Sequence, residues 1–302
     1  MKLTTIEASS PRLPTKLIIF GGPKTGKSEA VGKLAEKFNL HWFDLENGFE
    51  TLLKLPTEWK ERINLYQIPD TRSFPVAIQT MLKVIKGGKH TICYKHGVVG
   101  CPKCAVAFKG QEVSEYANTF SVDDLGYDDI LVVDSLTQLT SSAIAHITKD
   151  KPDDYKLEFD DWGNLGKLMD IFLSHVQQSP FHVACISHES EVILEDKKKR
   201  IVPVSGTTNF SRNTAKYFGH VVYSSVNNKK HTFGSATDYA MNIVTGSRTD
   251  VAIENLEVAS LIPFFDKSVK IPEAKAAVNS QGQAALSGLA AKYKSGMLGG
   301  GK

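Results

Sequence analysis

The segment Leu17-Ile-Ile-Phe-Gly-Gly-Pro-Lys-Thr-Gly-Lys-Ser28 constrains this chain more than any other. Branched apolar residues and a Phe form a short buried strand, and Gly21 to Ser28 spell G-x-x-x-x-G-K-S. Glu29 to Phe38 follow with apolar positions at helical spacing. Strand, glycine-rich turn and helix in that order make a phosphate-binding loop. Glycines let successive backbone N–H groups face phosphate oxygens, and a helix N-terminus adds partial positive charge. Gly21, Gly22, Pro23, Lys24, Thr25 and Gly26 would cradle the phosphates, Lys27 would reach the β- and γ-phosphates, and Ser28 would hold Mg²⁺. A plain Gly-rich turn between strand and helix is the alternative.

The 302 residues allow one large α/β domain or two smaller ones. With 41% apolar and 23% charged residues, the chain reads as an ordinary soluble globular protein. A net charge of +3 does not argue for a nucleic-acid partner, but permits one if basic residues cluster. No apolar run approaches a membrane span, and Met1-Lys-Leu-Thr-Thr5 lacks a signal core, so a cytoplasmic chain is expected. Of four cysteines, three lie between Cys93 and Cys104, which points to metal ligands in a reducing compartment and not to disulfides.

Residues 1–15 read as an arm or edge strand. Leu40 to Glu46 and Ile63 to Ile68 read as strands, with a short helix after Asn47-Gly48, and Phe74 to Ile85 as a helix with Pro75 in its first turn. From Gly87 to about Asn118 neither period holds, and 87–118 reads as an insertion. Asp128 to Asp134 is a fully buried central strand, followed by a helix from Ser135 to Ile147. Lys149 to Asp161 reads as a loop, Trp162 to Gln178 as a helix, and Phe181 to Ser187 as a buried strand. Beyond His188 the chain turns β-rich. Glu191 to Glu195 pairs with Ile201 to Val204, and Val221 to Val226 and Tyr239 to Thr245 are further strands. Residues 273–302, rich in Ala, Gly, Ser, Gln and Lys, read as a mobile tail.

Three polar residues at strand ends could equip the loop for hydrolysis. Asp134 at the carboxyl end of a central strand can hold Mg²⁺ through water; capping the next helix is the alternative. Glu46 can orient and deprotonate an attacking water as general base, though Asp44 and Glu50 stand nearby and a solvated acid would look the same. His188 can touch a γ-phosphate and pass its presence on, or be a satisfied edge histidine.

Together these residues resemble the core of the RecA/RadA recombinase family, from about Lys16 to Arg248. The family's Asp-x-Glu is matched by Asp44-Leu-Glu46, and its V-V-D-S by Val132-Val-Asp-Ser135. His188 takes the place where the family often carries a Gln sensor. The resemblance implies a RecA-like α/β core over 16–272, with a central, mostly parallel sheet flanked by helices and a β-rich C-terminal part. It further implies ATP bound with Mg²⁺ at subunit interfaces, and catalytic roles for Glu46, Lys27 and His188. Gly206 to Gly219 looks like the end of a DNA-binding loop that would span about Glu189 to Asn213. Lys197, Lys198, Lys199, Arg200, Phe210 and Arg212 are its candidate DNA contacts, although the four basic residues would serve equally as a solvated hairpin turn. The family's other DNA loop corresponds to Lys149 to Asp160, which is acidic here. Arg248 stands where a basic finger supplied to a neighbouring subunit would be sought; an exposed loop arginine is the alternative. Lacking the bacterial recombinase's extensions, the chain looks most like small single-domain RecA-like recombination ATPases of bacteriophages, which work beside single-strand-binding protein in the host cytoplasm.

Cys93-x2-His96-x4-Cys101-x2-Cys104 offers four ligands within 12 residues, with Gly97, Gly100 and Pro102 supplying turns. Such a set suits structural Zn²⁺ in a knuckle. His90 could replace His96, and reduced surface cysteines or an iron–sulfur centre are alternatives.

The expected function is that of an ATP-dependent, single-stranded-DNA-binding recombinase or annealing ATPase, stimulated by DNA and assembled into a ring or filament. A RecA-core helicase or helicase loader, a nucleotide-gated scaffold with little turnover, and a P-loop kinase are the competing classes.

Overall fold

The computed structural model describes residues 14–193, 197–235, 242–248 and 260–266. Contacts divide the chain into Met1–Val269 and Lys270–Lys302, and the second unit lies outside the described residues, as do most of the N-terminal arm and the proposed tail.

The chain begins with β1 (Lys16–Gly21), α1 (Lys27–Gly32) and a 3₁₀ turn over Lys33–Glu36. β2 (Asn39–Asp44), a 3₁₀ segment Phe49–Lys54, α2 (Thr57–Lys60), β3 (Ile63–Gln67) and α3 (Ala77–Ile85) follow. β4 (Lys89–Cys93), α4 (Pro102–Ala107) and β5 (Ala117–Ser121) come next, then β6 (Asp129–Asp134), α5 (Leu136–Ile147) and α6 (Phe159–Gln178). The last part holds β7 (His182–Ile193), β8 (Lys199–Pro203), α7 (Thr208–Arg212), β9 (His220–Asn227), β10 (Lys230–Gly234), β11 (Gly246–Ser247) and α8 (Ile262–Phe265).

Among the described residues the main sheet runs β10-β9-β1-β7-β6-β2-β3. Every neighbour from β9 to β3 is parallel, while β8, β10 and β11 attach antiparallel. Alternation explains why β1 is buried along its whole length. Ile18 and Phe20 face the layer holding α3, α5 and α6, whereas Leu17 and Ile19 face the layer holding α1 and α8. This arrangement brings the ends of β1, β2, β6 and β7 to one edge, where parallel α/β sheets carry ligands. No helix of the described residues is long and apolar enough to cross a membrane.

Several elements depart from expectation for local reasons. β2 stops at Asp44, not Glu46, because Asp44 accepts from the N–H groups of Glu46, Gly48 and Phe49 and curls the chain. α1 tightens after Gly32, where an added Cβ would lie 2.8 Å from Leu52 Cδ2. α3 begins at Ala77, whose N–H is capped by Asp70, so Pro75 precedes the helix. α6 starts at Phe159, not Trp162: Glu158 and Asp161 form a capping box, so part of the acidic loop is a helix terminus. β4 and β5 form an antiparallel ribbon where no regular structure was expected. β10 is an addition to the strands expected from sequence. Asn228 and Lys229 both take positive φ, 49° and 65°, and form the two-residue turn that returns it to β9. Of Tyr239 to Thr245, 239–241 fall outside the described residues, and the rest makes a single bridge, Ile243 to Ile201, not a strand.

Candidate nucleotide site

The loop Gly21–Ser28 leaves β1 and enters α1 through Gly26, which adopts φ 87°. It is walled by the β9–β10 hairpin. A Cβ on Gly21 would sit 2.0 Å from Ser224 O, and Ser224 Oγ donates to Thr25 O at 2.7 Å. A Cβ on Gly26 would lie 3.1 Å from His231 Nδ1. Within the loop Thr25 Oγ1 donates to Gly22 O, and buried Lys27 Nζ donates to Gly21 O and Gly22 O at 3.0 and 2.7 Å. Burial lowers the Lys27 pKa, while Glu46, Asp134 and Glu189 favour its charge.

Asp134 ends β6 with 4% of its surface exposed, and Ser28 Oγ donates to its Oδ2 at 3.0 Å. Burial, and then the negative charge of Glu46, push its carboxyl up to about 7. A buried carboxylate beside a hydroxyl, facing a phosphate loop, is a donor set that fits Mg²⁺. Glu46 Oε1 accepts a hydrogen bond from Ser135 Oγ, and His188 Nε2 lies 3.6 Å from the same oxygen. The His188 backbone N–H donates to Thr137 Oγ1 at 2.9 Å. Lys27, Ser28, Asp134, Glu46 and His188, separated by up to 161 positions in sequence, therefore meet at one sheet edge.

An AAA-domain family model matches residues 13–249. The chain belongs to that AAA-domain family. No curated protein sequence matches it. Among solved structures, the crystal structure of the RadB recombinase aligns with a TM-score of 0.37 and 13% identity, covering 74% of this chain and 80% of that one. As an AAA-domain protein with this loop and sheet, the chain has a P-loop NTPase core.

Some residues of this AAA-domain protein were not anticipated. Ser135, expected as a helix start and as the end of V-V-D-S, both caps α5, accepting from Gln138 N, and donates to Glu46. Glu189, bonded by Tyr223 Oη at 2.7 Å, approaches Gly22 from β7. Thr137 and His231 are likewise additions. V-V-D-S carried a signal for Ser135; a distant hairpin offered none for His231.

The remaining candidates lie elsewhere. Lys197 to Arg200 are exposed at the β7–β8 hairpin, with Lys199 paired to Glu191 at 2.9 Å. Phe210 is not an exposed aromatic: it packs on the core and stacks on Tyr217 at 6.0 Å between centroids. Arg212 is tied to the same hairpin, donating to Ile193 O and to Asn209 Oδ1. Arg248 is exposed beside the opposite sheet edge, where its guanidinium donates to Lys216 O. It cannot reach its own phosphate loop.

Cys93, His96, Cys101 and Cys104 converge, with their ligand atoms all within 4.8 Å of one another. His96 Nδ1 is 3.8, 3.5 and 3.3 Å from the three sulfurs. Two ligands on a tetrahedral Zn²⁺ with ordinary Zn–N and Zn–S bonds would be about 3.6 Å apart, so the donor set fits that ion. His90 instead contacts Gly87 O at 3.0 Å.

Proposed function

We propose that this protein is an ATPase that binds single-stranded DNA and assembles on it as a recombinase or annealing protein, of the kind encoded by bacteriophages and working beside single-strand-binding protein. Its core would span 16–272, with 87–118 as a zinc-bearing insertion. The observation that carries the reading is the Glu46 carboxylate, held by Ser135, beside His188 and across from Lys27 and the Ser28–Asp134 pair.

In this reading Lys27 leaves its loop carbonyls for the β- and γ-phosphate oxygens, where its charge offsets the charge that develops. Glu46 orients a water and takes its proton, and Ser135 fixes the carboxylate for that task. Mg²⁺, held by Ser28 and, through water, by Asp134, would supply Lewis-acid neutralisation of the phosphates. His188 reads the γ-phosphate, and its strand continues directly into the β7–β8 hairpin with its basic Lys197–Arg200 end. Occupancy of the phosphate loop is thereby linked to DNA affinity. Arg248, remote from its own loop, would serve a neighbouring subunit's site, placing ATP at the interface of a ring or filament.

Hydrolysis measured with and without single-stranded DNA at two salt concentrations tests the proposal. Stimulation that fades with salt and vanishes in Lys27→Ala supports it. Turnover indifferent to DNA at both salts refutes it and leaves the scaffold and kinase classes.

A further inference from the structure

A cleft of about 760 Å³ opens from Glu46, Thr137 and His188 toward the Cys/His knuckle, where Tyr94 and Lys95 form its far wall. Its acids are largely engaged. Asp44 accepts three backbone N–H groups, and Asp70 accepts from Ala77 N, Ser142 Oγ and Gln138 Nε2. Glu46 is bonded by Ser135. Lys95 is exposed and makes no ion pair among the described residues. Beside it Tyr94 is 50% exposed, and its hydroxyl is anchored between two acceptors, Ser114 O and Asn118 Oδ1, both 3.1 Å away, which share its one proton. Both residues lie between Cys93 and His96, so a metal held by that set would fix their backbone on either side.

The knuckle is also seated firmly against the cleft wall. Thr80 Oγ1 donates to Gly97 O at 2.8 Å, and Gly97, at φ 60°, would place a Cβ 2.8 Å from Ile68 Cα. An anchored aromatic next to a cation with no ion pair among the described residues matches one nucleotide unit: a base stacks on the ring and a phosphate meets the ammonium.

We infer that the knuckle is a nucleic-acid contact, in which Tyr94 stacks a base and Lys95 holds a phosphate of a single strand lying in the cleft that ends at Glu46 and His188. The inference rests on the reading of the chain as a single-strand-binding ATPase, and adds contacts outside the β7–β8 hairpin. It also puts the strand directly beside the hydrolytic residues, so that DNA would be sensed at the site of turnover.

Binding of a fluorescein-labelled oligo-dT to the zinc-loaded protein, followed by anisotropy over a salt series, decides it. Tyr94→Ala is expected to weaken binding about fivefold or more, whereas Tyr94→Phe keeps the ring and binds much as wild type. Lys95→Gln is expected to lower the slope of log affinity against log salt by about one. Unchanged zinc content in each variant separates these effects from collapse of the knuckle. If wild type binds the oligonucleotide and Tyr94→Ala and Lys95→Gln bind it equally well, the inference is overturned while the proposed function stands. If wild type binds no oligonucleotide, both fall. Competition by free dTMP at the same nucleotide concentration as the oligomer would also overturn it, since the site would then serve a mononucleotide.

Discussion

Asp134 is expected to cost this protein stability when no cation is bound, and its replacement should show by how much. The unfolded chain releases the proton near 3.8 and the folded chain near 7, because burial and Glu46 oppose the charge. Between those values the folded state holds the extra proton, so stability falls as pH rises through the window and is flat above it. Shifting a carboxyl from 3.8 to about 7 withholds about 4 kcal/mol from the fold once the carboxylate is fully charged. Asp134→Asn removes the charge and keeps an acceptor for Ser28 Oγ, but its new amide N–H groups offset about 1–3 kcal/mol of the gain. The net gain is about 1–3 kcal/mol, or about 2–10 °C in Tm. Thermal unfolding by circular dichroism, in buffer free of both Mg²⁺ and chelator, should show that rise near pH 8 and little of it near pH 5.5. A variant no more stable than wild type near pH 8, or equally stabilised at both pH values, would refute the reasoning. The same substitution should abolish hydrolysis, separating fold from function in one protein.

Glu46→Gln should bind a fluorescent ATP analogue normally yet lose about 10²–10⁴-fold in turnover, and unchanged turnover would remove Glu46 as base. Removing the zinc proposed for the knuckle with a chelator, or Cys104→Ser, should unfold the ribbon around β4 and β5 while the main sheet persists, read as loss of amide exchange protection confined to that segment. Gly97→Ala should lose about 1–3 kcal/mol, since the new methyl meets Ile68 Cα and φ is 60°; chemical denaturation measures it. His188→Ala should keep basal ATP binding but lose DNA stimulation, measured by steady-state hydrolysis with saturating oligonucleotide.

What could be read from sequence was chemistry confined to a short contiguous segment. The phosphate loop, the run ending in Asp134 and the Cys/His spacing each declare themselves within a dozen residues. Convergence of Lys27, Glu46, Asp134 and His188 was legible too, because parallel strands must end at one edge. Side-chain partners across the fold were not. Nothing near Phe210 marks it as stacked on Tyr217, since an aromatic in a loop reads alike whether buried or exposed. Asp44 and Glu46 are both acids at a strand end, and only their partners separate them: Asp44 gathers backbone N–H groups as the turn-former, while Glu46 accepts from Ser135 beside His188. The β10 strand is not legible in the sequence because its alternation is short and Asn228-Lys229 lacks the glycine that usually announces such a turn.

The hairpin that walls the phosphate loop sets a schedule for biosynthesis. Ser224 and Thr25, which it joins, are 199 residues apart, and β1 finds both its neighbours, β7 and β9, only in the last part of the core. At about 5–20 residues per second, a ribosome needs about 10–40 s after making the loop to deliver the wall behind it. Until β7 follows, late in that interval, Leu17 to Phe20 have no strand on either side, so the apolar strand that organises the finished protein stays unpaired through most of the synthesis of its own core.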